Sequence, residues 1–192
     1  MSTANLVRWG GIASMMAAVS LSIGSILRMA GLLYVGQSIF FTGYVLLVFG
    51  IMGVYLVQAE RTGTLGFVAF VMTMIGTALS IVPAALLLAA NMGFQEIHYA
   101  QAFFSMKIPL TLVAILIGPL GTLLLGVATA RGGVLSRWTG ILMIAGSVFN
   151  LVYSLSYFTP VGVAGVQVSA LAFLLAGWEV VTGAGLAKST AA

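Results

Sequence analysis

From position 138 to position 178 the chain runs 41 residues without one Asp, Glu, Lys or Arg. Four further stretches, 9–27, 29–59, 62–95 and 108–130, are also free of these four residue types. A helix needs about 20 apolar residues to cross roughly 30 Å of hydrocarbon. Each stretch is therefore long enough for a crossing, and the longest is too long for one. Thr159 and Pro160 divide it: a Thr suits a helix N-cap and a Pro the first helical position. The pattern predicts six helices, at about 6–27, 38–57, 65–90, 108–130, 135–157 and 161–186. No period-two alternation argues for a membrane β-barrel. The expected fold is all-α, a polytopic bundle of six transmembrane helices within a single domain, 1–192.

Composition supports the same class. Charged residues are 5% of the chain and hydrophobic residues 61%, against about 25% charged in a soluble domain. Mean hydropathy is +1.20. Disorder requires the opposite balance. The net charge of +4 does not point to nucleic acid, because the cations are scattered singly and phosphate binding needs a cluster. An uncleaved first helix is expected, since its apolar stretch is long enough to span and Arg28 follows without a clear cleavage context.

The cations orient the bundle. With six crossings, Arg8, Arg61, Arg131, Arg137 and Lys188 fall on one side, and Arg28 and Lys107 on the other. Both termini are expected in the cytoplasm. Trp9, Trp138 and Trp178 are expected at the inner interface, with Tyr34, Phe94, Tyr99, Tyr157 and Phe158 at the outer one. The loops 58–64 and 131–136 are short and force antiparallel neighbours. Only 91–107 is a long connection. The openings Arg8-Trp9-Gly10-Gly11, Gly63-Thr64-Leu65-Gly66 and Arg137-Trp138-Thr139-Gly140 suggest three tandem helical hairpins about an axis along the membrane normal.

The run from Gly118, Pro119, Leu120 and Gly121 through Gly126, followed by Arg131, Gly132, Gly133, Val134, Leu135, Ser136, Arg137 and Trp138, resembles small bacterial six-helix integral membrane proteins of uncharacterised function. An apolar helix, a short basic turn and a Trp-led helix recur in them in this order. The resemblance covers about a third of the chain. It implies a bacterial or archaeal inner membrane and brings no substrate, cofactor or catalytic residue.

Few residues can carry chemistry. There is no Cys, no Asp and one His, so thiol nucleophiles, Cys-ligated metals, multi-His sites and a Ser–His–Asp set are excluded. The nucleotide-binding glycine fingerprints and HExxH are also missing. The chain is read as non-enzymatic, and its sequence requires no cofactor. Small residues form ridges that let helices approach in lipid: Ser14, Ala18 and Ser22; Gly43, Gly50 and Gly53; Gly118, Gly121 and Thr122. They serve packing within the bundle, or one ridge faces outward toward another subunit. Pro83 and Pro119 free the carbonyls of Leu79 and Ile115. Ser80, Thr111 or Thr122 would satisfy those carbonyls at a kink, or the carbonyls would coordinate a cation.

Asn150 and Gln167 flank the outer turn at equal depth and are expected to meet as an interhelical amide pair. Glu179 lies near the inner interface and is expected to pair with Arg8 or Arg137. The alternative for Glu179 is a proton-carrying acid. His98, in the most polar part of the outer loop, is a candidate ligand to a haem or chlorophyll or simply solvated.

The function these features favour is an accessory or assembly subunit, or a self-associating bundle. Its partners would be the lipid bilayer and other membrane subunits or further copies. The alternative is a small-molecule or ion transporter using Pro83, Pro119, Glu179 and a cavity lined by Thr73, Thr77 and Asn150. A third reading is a binder of quinone, carotenoid or lipid, with ten Met as an adaptable wall.

Overall fold

A computed structural model describes residues 3–91, 109–156 and 159–183. They form five helices: α1 (Thr3–Met29), α2 (Leu33–Asn91), α3 (Pro109–Gly132), α4 (Arg137–Ser156) and α5 (Thr159–Thr182). No strand occurs among the described residues. Three helical stretches are long and apolar enough to cross a bilayer: Asn5–Met29, Leu33–Ala89 and Pro160–Thr182. Leu116–Gly132 and Arg137–Val152 are shorter apolar helices.

The helix count differs from expectation because of α2. Its 59 residues would make a rod of roughly 90 Å if straight. It reverses instead at Gly63, the one residue inside it with non-helical angles, φ 53° and ψ −144°. That region is essentially open to glycine alone. The reversal brings Tyr55 onto Phe70, with ring centroids 4.4 Å apart and planes 14° from parallel. Gln37 Nε2 donates to the Ala84 carbonyl at 2.9 Å. Along a straight helix these pairs would be roughly 22 and 70 Å apart. The limbs 33–62 and 64–91 are therefore antiparallel neighbours. The polar stretch 58–64 was expected to be a loop. Its Gln58, Ala59, Glu60 and Arg61 are good helix formers, so helix continues up to the glycine on both sides.

Elsewhere the chain turns conventionally. After α1, Leu32 N–H donates to Leu27 O at 3.0 Å and Gly31 N–H to Arg28 O at 3.2 Å, with Gly31 at φ 84°. This is a Schellman ending, which places glycine just past the helix.

Consecutive elements pack together, and α5 packs back on α1, which closes a ring. Small residues set the spacing. A Cβ on Gly10 would stand 2.5 Å from Gly53 Cα, and one on Gly50 would stand 2.7 Å from Ser14 Cα. Gly76 lies against Gly118, and Gly121 against Thr73. Gly126 meets Gly140, Gly146 meets Ser169, and Gly177 meets Gly11. All three ridges named above thus contribute to contacts inside the chain, since Gly43 also meets Leu21.

The inside of the ring is filled. Ile51, Val54, Ala69, Leu125, Met143 and Ala176 are completely buried members of one continuous core. Ser14, Gln37, Gln58, Thr73, Thr129, Thr139, Ser147 and Glu179 are buried among them. Outside, Met16, Ile23, Phe49, Phe67, Ile75, Ile141, Phe149 and Leu171 are exposed. Polar groups face inward and large apolar ones outward, the arrangement suited to hydrocarbon as solvent.

The three openings noted in the sequence keep one register. Gly11, Gly66 and Gly140 are all buried. Three residues on, Ser14, Ala69 and Met143 are each 0% exposed, and seven on, Ala18, Thr73 and Ser147 are 2%, 1% and 1% exposed. The contacts of Gly10 with Gly53, of Gly11 with Gly177 and of Gly140 with Ala130 gather Trp9, Trp178 and Trp138 at one end of the ring. All three are well exposed. The Gly63 reversal and the α3–α4 loop lie at this Trp-bearing end.

Candidate functional site

The Trp-bearing end holds the polar groups with the fewest alternatives. A helix begins with N–H groups that have no partner inside it. At the start of α4, Ser136 is the N-cap. Its Oγ accepts from Thr139 N–H at 3.3 Å and lies 3.1 Å from Thr139 Oγ1. In a capping box the third helical residue is Glu or Gln, whose side chain reaches back to the N-cap N–H. Here that residue is Thr139, and the carboxylate comes from another helix. Glu179 of α5 accepts from Ser136 N–H through Oε2 at 2.7 Å and from Thr139 Oγ1 through Oε1 at 3.4 Å. A carboxylate at a helix N-terminus also meets the positive end of the helix dipole. Glu179 is 9% exposed.

This corrects the expected Glu179 pairing. Among the described residues, neither Arg8 nor Arg137 forms an ion pair with it. Both arginines are exposed, and pairing would require dehydrating a guanidinium. The Ser136 N–H is already inside and needs an acceptor, so the carboxylate goes there. The loop it holds is unusual. Gly133 ends α3 at φ 68°, and the next two residues, Val134 and Leu135, are 5% and 2% exposed.

Two buried side chains at this end have polar atoms without a partner among the described residues. Neither Gln58 Nε2 nor Oε1, nor Thr129 Oγ1, meets a hydrogen-bonding group among the described residues. Gln58 is 1% exposed and Thr129 0%. Thr62, one turn from Gln58, gives its hydroxyl to Gln58 O at 2.9 Å. The Thr62 methyl meets the position of Gly132, three residues from Thr129. Sequence reasoning missed Gln58, Thr129, Ser136 and Thr139. Only Ser136 carried a local signal, as a Ser preceding a helical run.

Asn150 and Gln167 do not pair with each other in the expected way. Gln167 bridges α5 to α1: its Oε1 accepts from Ser22 Oγ, and its Nε2 donates to Ser22 O at 3.3 Å and Ser25 Oγ at 2.7 Å. Asn150 Nδ2 donates to Ser169 Oγ at 3.2 Å, and its Oδ1 lies against Gly165. The depth argument was sound, since residues 165 and 169 bracket Gln167. Rotation decides otherwise: Gln167 lies two residues from each, about 200° round the helix.

The prolines do not break their helices. Pro119 lies inside α3, and α2 is interrupted at Gly63, not at Pro83. Ser80 donates to Gly76 O at 2.8 Å and Thr122 to Gly118 O at 3.0 Å. Neither hydroxyl therefore serves the carbonyls of Leu79 or Ile115 as expected. Thr73 donates to Ala69 O at 2.7 Å and is packed against Gly121, so its hydroxyl is satisfied within its own helix. Arg28, at the opposite end from the Trp residues, lies over the Phe40 ring at 5.0 Å.

His98, Phe94, Tyr99, Lys107 and Lys188 lie outside the described residues. So does the proposed end of the last helix at 186; α5 stops at Thr182, with Gly183 at φ 67°. Among the described residues, no group of three or more His, Cys, Asp or Glu could hold a metal ion. Compared with family models, curated proteins and solved structures, the chain has no match.

Proposed function

We propose that the chain is a non-enzymatic integral membrane protein of six transmembrane limbs, with both termini cytoplasmic, that works by lateral association as an accessory or assembly subunit or with its own copies. The observation that supports this is the division of labour between its two surfaces. The inner surface is spent on Ile51, Leu125 and Met143, which fill the centre, and the small-residue ridges are spent on internal contacts. What is left for recognition is the outer surface. Between α1 and the first limb of α2 it carries an apolar groove lined by Leu6, Trp9, Ala13, Phe49 and Met52. Counting α2 twice for its reversal at Gly63 supports six limbs, and the shared register at Ser14, Ala69 and Met143 favours three tandem hairpins. The cytoplasmic placement of the Trp-bearing end rests on the distribution of Arg and Lys.

Native mass spectrometry of gently extracted protein tests the reading. A second subunit or a second copy is expected to travel with the chain. A bare monomer that carries out solute uptake in vesicles would overturn it.

A transporter is the second reading, and a specific observation favours it. Gln58 and Thr129 are buried polar groups without partners at the same end as a buried carboxylate. Under that reading Glu179→Gln abolishes proton-coupled uptake in vesicles while the fold is kept. Under the first reading no such uptake exists to lose.

A further inference from the structure

We propose that the α3–α4 loop is a latch over the Trp-bearing end of the bundle, held shut by the Glu179 carboxylate. Three independent observations meet here. The first is that the middle of the loop is buried. Connecting segments normally run over the surface, yet Val134 and Leu135 are 5% and 2% exposed, and Leu135 belongs to the continuous core. The second is how the loop is held. Ser136, its last residue, gives its N–H to Glu179 at 2.7 Å, and Thr139, at the start of α4, adds its hydroxyl at 3.4 Å. Both donors lie on the loop side and the acceptor on α5, so one side chain fixes the loop to a helix 40 residues further on. A hydrogen bond to an ionised acceptor is roughly twice as strong as a neutral one.

The third observation gives the latch something to open onto. Gln58 and Thr129 have three buried polar atoms without a partner among the described residues. Thr129 is one turn from Gly133, where the loop begins, and Gln58 is one turn from Thr62, which touches Gly132. Buried polar groups are normally paired with protein or water. With the loop down, these atoms have no partner among the described residues. With the loop lifted, water from the adjoining aqueous phase reaches them. Closure is favoured by the apolar pair Val134 and Leu135 and by Glu179, and opening by hydration of Gln58 and Thr129. The hinge is at hand: Gly133 is at φ 68°, and the N-terminus of α4 is tied to α5 through Ser136 and Thr139.

The native chain contains no cysteine, so single-cysteine labelling of the full chain reads the latch directly. The reporter is Val134→Cys, with Arg131→Cys as an exposed comparison and Met143→Cys as a core comparison. A water-soluble maleimide is applied in detergent. With Glu179 in place, Val134→Cys is expected to react about tenfold more slowly than Arg131→Cys. Adding Glu179→Leu is expected to raise the Val134→Cys rate about tenfold while Met143→Cys stays unreactive. A Val134→Cys rate unchanged by Glu179→Leu would overturn the proposal, because the carboxylate would then not hold the loop. Equal gains at Val134→Cys and Met143→Cys would also overturn it, because Glu179 would then support the whole bundle and not a latch. Leu135→Cys provides a second reporter if Val134→Cys does not fold.

Discussion

Gln58 and Thr129 show what a packed interior asks of single side chains. A hydrogen bond made inside a protein contributes little net, but a buried group left unpaired costs about 1–3 kcal/mol. Gln58→Met and Thr129→Val keep the volumes and remove the unpaired atoms. The double variant is expected to be more stable than the native chain by about 1–3 kcal/mol, measured by thermal unfolding in detergent. A loss of stability would mean that these atoms have partners in the membrane. Glu179 is the opposite case, since its removal strands the Ser136 N–H. Its place near the end of the last helix could be read from the sequence. Its partner could not, because a backbone N–H is donated by every residue type except proline and leaves no compositional trace. The same limit explains Gln167. Its depth followed from counting along the chain, but the direction it faces depends on where α1 stands.

The elements were readable in outline because a helix long enough to cross a bilayer needs about 20 apolar residues in a row. The long charge-free stretches located α1, both limbs of α2, α3, α4 and α5 to within a few residues. What they did not reveal was continuity. The turn between the limbs of α2 is a single residue, and the polar composition around it suggested a longer loop. Gly63 is therefore the most sensitive backbone position in the reversal. At φ 53° and ψ −144°, a β-branched residue is strained by about 1–3 kcal/mol. Gly63→Val is expected to lower the unfolding midpoint and to weaken the Tyr55–Phe70 stack, read by near-ultraviolet circular dichroism. Gly31 sits at φ 84° with nothing near its Cβ direction. Gly31→Asn is expected to be mild by comparison, because Asn tolerates left-handed backbone. If the two variants were equally stable, backbone strain at the reversal would not be the controlling term.

For the molecule as a whole, sidedness is the property from which the others hang. Reporter fusions after Ala192 and within 91–107 are expected to give opposite signals, with the C-terminal one cytoplasmic. Equal signals would leave an even number of crossings between the two sites and remove the six-limb arrangement, which has three. The ring has a further consequence for how the protein is made. A ring has no terminal helix, so α1 is complete only when α5 arrives. The Ser14 hydroxyl of α1 donates to the Phe173 carbonyl of α5 at 2.7 Å, 159 residues away. At about 5–20 residues per second, the ribosome needs roughly 10–30 s to deliver that partner after Ser14 has been synthesised. Through that interval one face of α1, with Ser14 and the backbone of Gly11 on it, stands open in the bilayer. The nascent chain must be shielded along that seam, by the insertion machinery or by lipid, until its last helix closes it.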